Sequence, residues 1–125
     1  MMKAFVRIAL VAALVPSVAL AATINEIRID QSGSDASEYF ELAGNPGESL
    51  DGLWYVVIGD TAGAGGAVEA IVDLSGLVIP ADGYFLAVED TFGTGGLGLT
   101  GSADLVLPGS GTSQTLNFEN SDNVT

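Results

Sequence analysis

The chain has 125 residues and a formal charge of −13, from 16 acidic and only three basic side chains, with neither cysteine nor histidine. The missing histidine removes the commonest general base, the Ser-His-Asp arrangement and imidazole metal ligation; the missing cysteine removes disulfides, thiolate metal sites and a thiol nucleophile. A surface this acidic repels nucleic acid and anionic lipid, and lacks the Lys and Arg needed to displace counterions from phosphates, so direct nucleic-acid binding is not expected.

The first 21 residues read as a cleavable signal peptide. Lys3 and Arg7 form a short positive region, residues 8–20 are apolar apart from Pro16 and Ser17, and Ala19-Leu20-Ala21 supplies small residues at the peptidase recognition positions Ala19 and Ala21. The alternative is an uncleaved anchor, but the apolar core holds about 13 residues where a spanning helix needs about 20. No stable membrane span is expected after cleavage. The mature chain, 22–125, then keeps Arg28 as its one basic residue, and its formal charge moves from −13 to −15, two positives fewer. That length suits one domain with one core.

Short apolar segments follow, separated by Gly, Asp, Ser and Pro turns, and none holds helical periodicity. Ile27 and Ile29 alternate with Glu26, Arg28 and Asp30 as a half-buried strand, with Ile24 out of phase. Phe40 and Leu42 alternate with Tyr39 and Glu41 in a second. The run from Leu53 to Ile58 is apolar on both faces, which predicts a central strand with Trp54 as a core anchor. Val68, Ala70, Val72 and Leu74 share a face opposite Glu69 and Asp73, and Tyr84, Leu86 and Val88 repeat the pattern after Pro80-Ala81-Asp82-Gly83. Weaker strands are expected near residues 103–107 and 115–119. Pro46-Gly47 and Asp82-Gly83 are turn formers, and the glycine-rich stretches 59–66 and 93–101 read as loops. About seven short strands at this spacing predict an all-β antiparallel sandwich. The pattern stops in a polar stretch at Thr125, which fits either a complete module or a domain with further strands beyond it.

Three constellations bear on chemistry. Gly93-Thr94-Gly95-Gly96-Leu97-Gly98 matches the dinucleotide spacing G-x-G-x-x-G, but no helix pattern follows to receive a pyrophosphate, so it reads as a loop. Glu26 and Glu41 would meet on one polar face if their strands pair, which suits a cation or a carboxylate pair, or simply two solvated glutamates. Asn117, Glu119, Asn120, Asp122 and Asn123 form the densest oxygen cluster, without the spacing of an EF-hand. Calcium is therefore the one candidate ligand, against generic surface acidity; no cofactor, catalytic residue or defined metal ligand is expected. Asn123-Val124-Thr125 is an incidental glycosylation sequon.

A resemblance runs through residues 23–90. Ile24-Asn25-Glu26-Ile27, Glu38-Tyr39-Phe40-Glu41-Leu42 and Asn45-Pro46-Gly47 resemble the opening of a lamin-tail-type domain. Leu50-Asp51-Gly52-Leu53-Trp54 resembles that family's Asp-Leu-Ser-Gly-Trp signature with its order blurred. A cleaner copy stands at Asp73-Leu74-Ser75-Gly76, and Ile79-Pro80-Ala81-Asp82-Gly83-Tyr84-Phe85-Leu86 is similar to the family's turn and strand. The resemblance implies an immunoglobulin-like sandwich in a secreted or surface module of bacterial type, with roles in interaction and attachment and no defined catalytic residues. It leads to two expectations: a non-catalytic module bound to a protein, surface or matrix partner, or an accessory domain of a longer secreted nuclease or phosphatase.

Overall fold

A computed structural model describes residues 22–29, 37–61, 64–93, 100–110, 113–116 and 118. Six strands carry these residues: β1 (Thr23–Arg28), β2 (Tyr39–Ala43), β3 (Trp54–Thr61), β4 (Ala64–Asp73), β5 (Tyr84–Glu89) and β6 (Leu105–Leu107). They form two sheets, one ordered β1-β2-β5-β6 and one of β3 and β4 alone. The protein is an all-β sandwich. One ladder departs from the antiparallel pattern, because β6 runs parallel to β5, with Ala87 facing Leu105 and Glu89 facing Leu107. The glycine-rich connection from Asp90, with short 3-10 helices at Asp90–Gly93 and Thr100–Ser102, is long enough to carry the chain back along the sheet.

One register organises the middle of the chain. Tyr39 faces Val88 and Ala43 faces Tyr84 between β2 and β5. Beyond the strand ends, Gly44 N–H donates to Gly83 O, Gly47 to Ile79 O, Ile79 to Glu48 O, Leu50 to Leu77 O and Leu74 to Leu53 O. Ser49 pairs with Val78, and Trp54 with Asp73 opens the β3–β4 ladder. From Tyr39/Val88 to Val57/Ala70, one ribbon therefore folds over on itself, and its two halves become the two layers. The fold-over is made by matched turns. Leu53 N–H bonds Leu50 O across Asp51-Gly52, and Leu77 N–H bonds Leu74 O across Ser75-Gly76. Gly52 and Gly76 sit at φ +76° and +82°, a left-handed conformation that a Cβ disfavours and that the third position of a type II turn requires. The two turns cost both sides of the ribbon the same number of residues, so the register survives. The predicted turns at Pro46-Gly47 and Asp82-Gly83 are present too, with both glycines at positive φ.

The core lies between the layers. Phe40, Leu42, Phe85, Ala87 and Leu107 from the larger sheet meet Tyr55, Val57, Ala70 and Val72 from the hairpin, closed by Leu50, Leu74, Ile79, Leu116 and Phe118. Phe40 and Tyr55 stack across the interface, with centroids 3.8 Å apart and planes 8° from parallel, and Phe118 meets Tyr55 edge-on at 6.4 Å. Phe118 and Leu116 are buried without belonging to a strand. The expected strand near 115–119 is thus not among the six; Asn117 and Glu119 lie outside the described residues.

Three other expectations change on physical grounds. In β5 the core face is Phe85 and Ala87, while Tyr84 is 46% exposed; both faces of that strand are apolar, so alternation alone could not choose between them. The stretch 59–66 is mostly strand, continuing the β3–β4 hairpin up to the undescribed residues 62–63. Last, β4 carries two extra residues, where the register slips between Val57/Ile58 and between Gly59/Asp60. The first slip leaves Glu69 opposite no β3 residue. It turns Glu69 to the buried side and Val68 outward, against the shared face expected for Val68 and Ala70. A bulge also explains Ile24. The slip between Ile24 and Glu26 sets Ile24 against Leu42 and Ile27 against Phe40, so the two share a sheet face despite their odd spacing; Ile27 packs against the core, whereas Ile24 stays 57% exposed at the sheet margin.

Candidate functional site

The glutamate pair expected on one polar face forms. Glu26 and Glu41 are direct partners in the β1–β2 ladder. Each is already engaged: the Tyr39 hydroxyl donates to Glu26 Oε1 at 2.8 Å, and Asn25 Nδ2 donates to Glu41 Oε1 at 2.6 Å. Burial, then the hydrogen bond to Glu26, raises the Tyr39 hydroxyl above its ordinary pKa of 10.0. These contacts are at the surface, so they orient side chains more than they stabilise the fold. Among the described residues no group of three or more acidic side chains is placed to hold a metal ion. The oxygen cluster from Asn117 to Asn123 lies outside the described residues, as do the recognition positions Ala19 and Ala21 and most of the 93–101 glycine stretch.

Other carboxylates act as backbone acceptors at the corners. Asp51 Oδ1 takes the Gly76 N–H at 2.7 Å, tying one matched turn to the other. That bond, followed by one with Ser49, holds the Asp51 carboxyl below its ordinary 3.8. Asp73 takes the Ser75 N–H at 2.9 Å and is lowered by the same residue. Glu48, Asp82 and Asp104 accept from Asn45, Tyr84 and Leu86 N–H. Part of the chain's acidity is thus turn chemistry, because short carboxylates complete bends that lack a backbone acceptor.

Sequence reasoning missed the buried acids. Glu38, Glu69 and Glu89 are 2%, 7% and 4% exposed. Glu38 and Glu89 extend the β2–β5 pairing: Glu89 N–H donates to Glu38 O at 2.9 Å and Glu38 N–H approaches Glu89 Oε2 at 3.4 Å. Glu38 Oε2 accepts from Phe118 N–H at 2.9 Å, fixing the segment that delivers Phe118 to the core. Glu89 lies against Gly109, where an added Cβ would collide with its carboxylate. A signal existed only for the last contact, since a glycine beside a strand end often marks a close approach.

The feature least like a closed surface is the outer face of the hairpin. Trp54, Val56, Ile58 and Val68 are 57%, 44%, 55% and 50% exposed. The register sets Val56 against Ile71 and Ile58 against Val68, so these side chains form a single apolar strip, with Asp73 opposite Trp54 at one end. The central strand and core-anchoring Trp54 expected from the run Leu53–Ile58 are therefore corrected. The strand exists, but only its Tyr55 and Val57 face is in the core, because nothing described packs on the other.

Comparison with family models, with curated proteins and with solved structures returns no match for this chain. No helix among the described residues is long and apolar enough to cross a membrane.

Proposed function

We propose that this chain is an exported, non-catalytic attachment module of lamin-tail type, which binds a protein or matrix partner at the bacterial cell surface. The observation that carries the reading is the solvent-facing apolar strip of Trp54, Val56, Ile58 and Val68. Contiguous apolar surface of this kind on a small acidic domain is the usual mark of an interaction face. The leader-like residues 1–21 and the signature-like turns at Leu50-Asp51-Gly52 and Leu74-Ser75-Gly76 support export and the family reading. The carboxylates a reaction would draw on serve turns and strand junctions instead, as with Asp51, Asp73 and Glu38.

The test is the partition of the full chain between producing cells and medium, comparing wild type with a Trp54→Ser/Ile58→Ser double variant. The module reading expects the cell-bound fraction to fall sharply in the variant while circular dichroism stays unchanged. Equal partition of the two proteins overturns it.

A further inference from the structure

The β3–β4 hairpin has two edges, and they differ. Leu74 N–H donates to Leu53 O, the bond that flanks a non-bonded Trp54/Asp73 pair. By the alternation of antiparallel ladders, Trp54/Asp73 and Val56/Ile71 are then non-bonded pairs, whose N–H and C=O groups point away from the hairpin. On the β4 side those groups are taken up: Gln114 N–H donates to Ile71 O at 2.7 Å, and Asp73 N–H donates to Gln114 Oε1 at 2.6 Å. On the β3 side no described residue takes up the corresponding groups of Trp54 and Val56.

An open edge is normally blunted by charge, proline, a bulge or brevity. The edge of β1 carries Glu26, Arg28 and a bulge, and β6 has three residues. From Leu53 to Gly59 the β3 edge has no charged residue and no proline, and its outward side chains are the apolar strip itself. Open bonding groups along the edge and apolar side chains on the adjoining outer face thus border one open lane.

Charge selects the occupant. Arg28 is the one basic residue among those described, in a chain of formal charge −13, so a second copy would bring the same sign to the lane. Asp73 stands across the ladder from Trp54, Asp51 lies beyond it on the same corner, and an exposed indole is itself a platform for a cation. We propose that the β3 edge at Trp54–Val56 accepts an extended strand from a partner protein, apolar at alternate positions and with Lys or Arg placed beside Trp54. The backbone groups supply affinity, the strip selects apolar residues, and the acidic corner selects charge. This inference rests on the attachment-module reading and names its partner's chemistry.

Trp54 is the only tryptophan in the chain, so its emission reports on the lane directly. The probe is a short synthetic peptide alternating valine and threonine between terminal lysines, titrated into the full chain. A saturable blue shift is expected, weakened by salt. It should weaken by at least about tenfold when glutamates replace the lysines, and likewise in Val56→Pro, which removes an outward N–H and no ladder bond. Val56→Lys, which leaves the backbone alone, should weaken it as much and guards against misfolding of the proline variant. Slow hydrogen exchange at the Trp54 and Val56 amides in the free chain would show the edge already filled and overturn the proposal. So would concentration-dependent dimerisation that protects those amides, which would assign the lane to a second copy. A peptide that never binds, while Trp54→Ser/Ile58→Ser still abolishes cell retention, sinks strand addition and leaves the module reading standing. Failure of the retention assay removes the reading itself.

Discussion

The two layers of the sandwich solve the same problem differently. The larger sheet buries Phe40, Leu42, Phe85 and Ala87 on one face; on the other, β1 and β2 carry Glu26, Glu41, Asn25 and Tyr39, which bond in pairs, while Tyr84 of β5 and Val106 of β6 stay about half exposed. The hairpin buries Tyr55, Val57, Ala70 and Val72 and leaves Trp54, Val56, Ile58 and Val68 in solvent. The β1–β2 part of the first sheet is finished against water by these polar pairs. The second is finished on one side only. Apolar residues therefore mark burial on one face of the hairpin and stand in solvent on the other, as expected where hydrophobic content is a one-way guide to the interior.

Mutations can break or sharpen this contrast. Phe40→Ala should have the largest effect, because it removes a fully buried ring and its stack on Tyr55. A loss of about 3–5 kcal/mol in urea unfolding is expected. Gly109→Ala should follow, at about 1–3 kcal/mol, because the new methyl must displace the buried Glu89 carboxylate. Tyr55→Phe separates packing from ionisation. Burial raises the Tyr55 hydroxyl far above its ordinary 10.0. The fold holds the neutral phenol, so this contribution is intact below pH 10 and is lost as pH rises toward the folded value. The variant keeps the ring and should move alkaline unfolding, followed by circular dichroism, to higher pH. Asp51→Ala probes the corner. The folded pKa of Asp51 is depressed by the Gly76 N–H, so its contribution is present above 3.8 and lost as pH falls below it. The variant should lower the melting midpoint at pH 7, with the gap closing in acid. Smallest of all, Val56→Thr on the hairpin's outer face should change stability by less than about 0.5 kcal/mol. A loss of more than about 1 kcal/mol would mean that the strip is covered in the folded chain.

How much of this was legible depended on whether polar residues marked a face. Around Phe40 and Leu42, flanked by Tyr39 and Glu41, alternation gave both the strand and its inner side, and it placed Glu26 near Glu41 correctly. Around Tyr84 to Val88 no charge marked either face, and the inner side was misread. Trp54 was assigned to the core because the run Leu53–Ile58 is apolar on both faces. Glu69 was placed on the polar face with Asp73 and is buried instead, because a bulge shifts the phase without changing the composition. Glu38 and Glu89 looked like solvated acids; their burial follows from lying where β2 enters, β5 leaves and Phe118 crosses, a junction made by residues far apart in sequence.

The single register from Tyr39/Val88 inward also dictates an order of assembly. The β3–β4 hairpin closes the shortest loop, so it can form before anything distant has met. Each later contact, Leu53 with Leu74, Leu50 with Leu77, Gly44 with Gly83, then closes only the few residues left beyond the last one. Strands β2 and β5 are brought together by zippering and not by a search across the whole intervening segment, so the entropy of joining them is spent in small instalments. A sheet whose central pairing looks long-range in sequence is therefore short-range in kinetics, and should fold faster than its topology alone suggests.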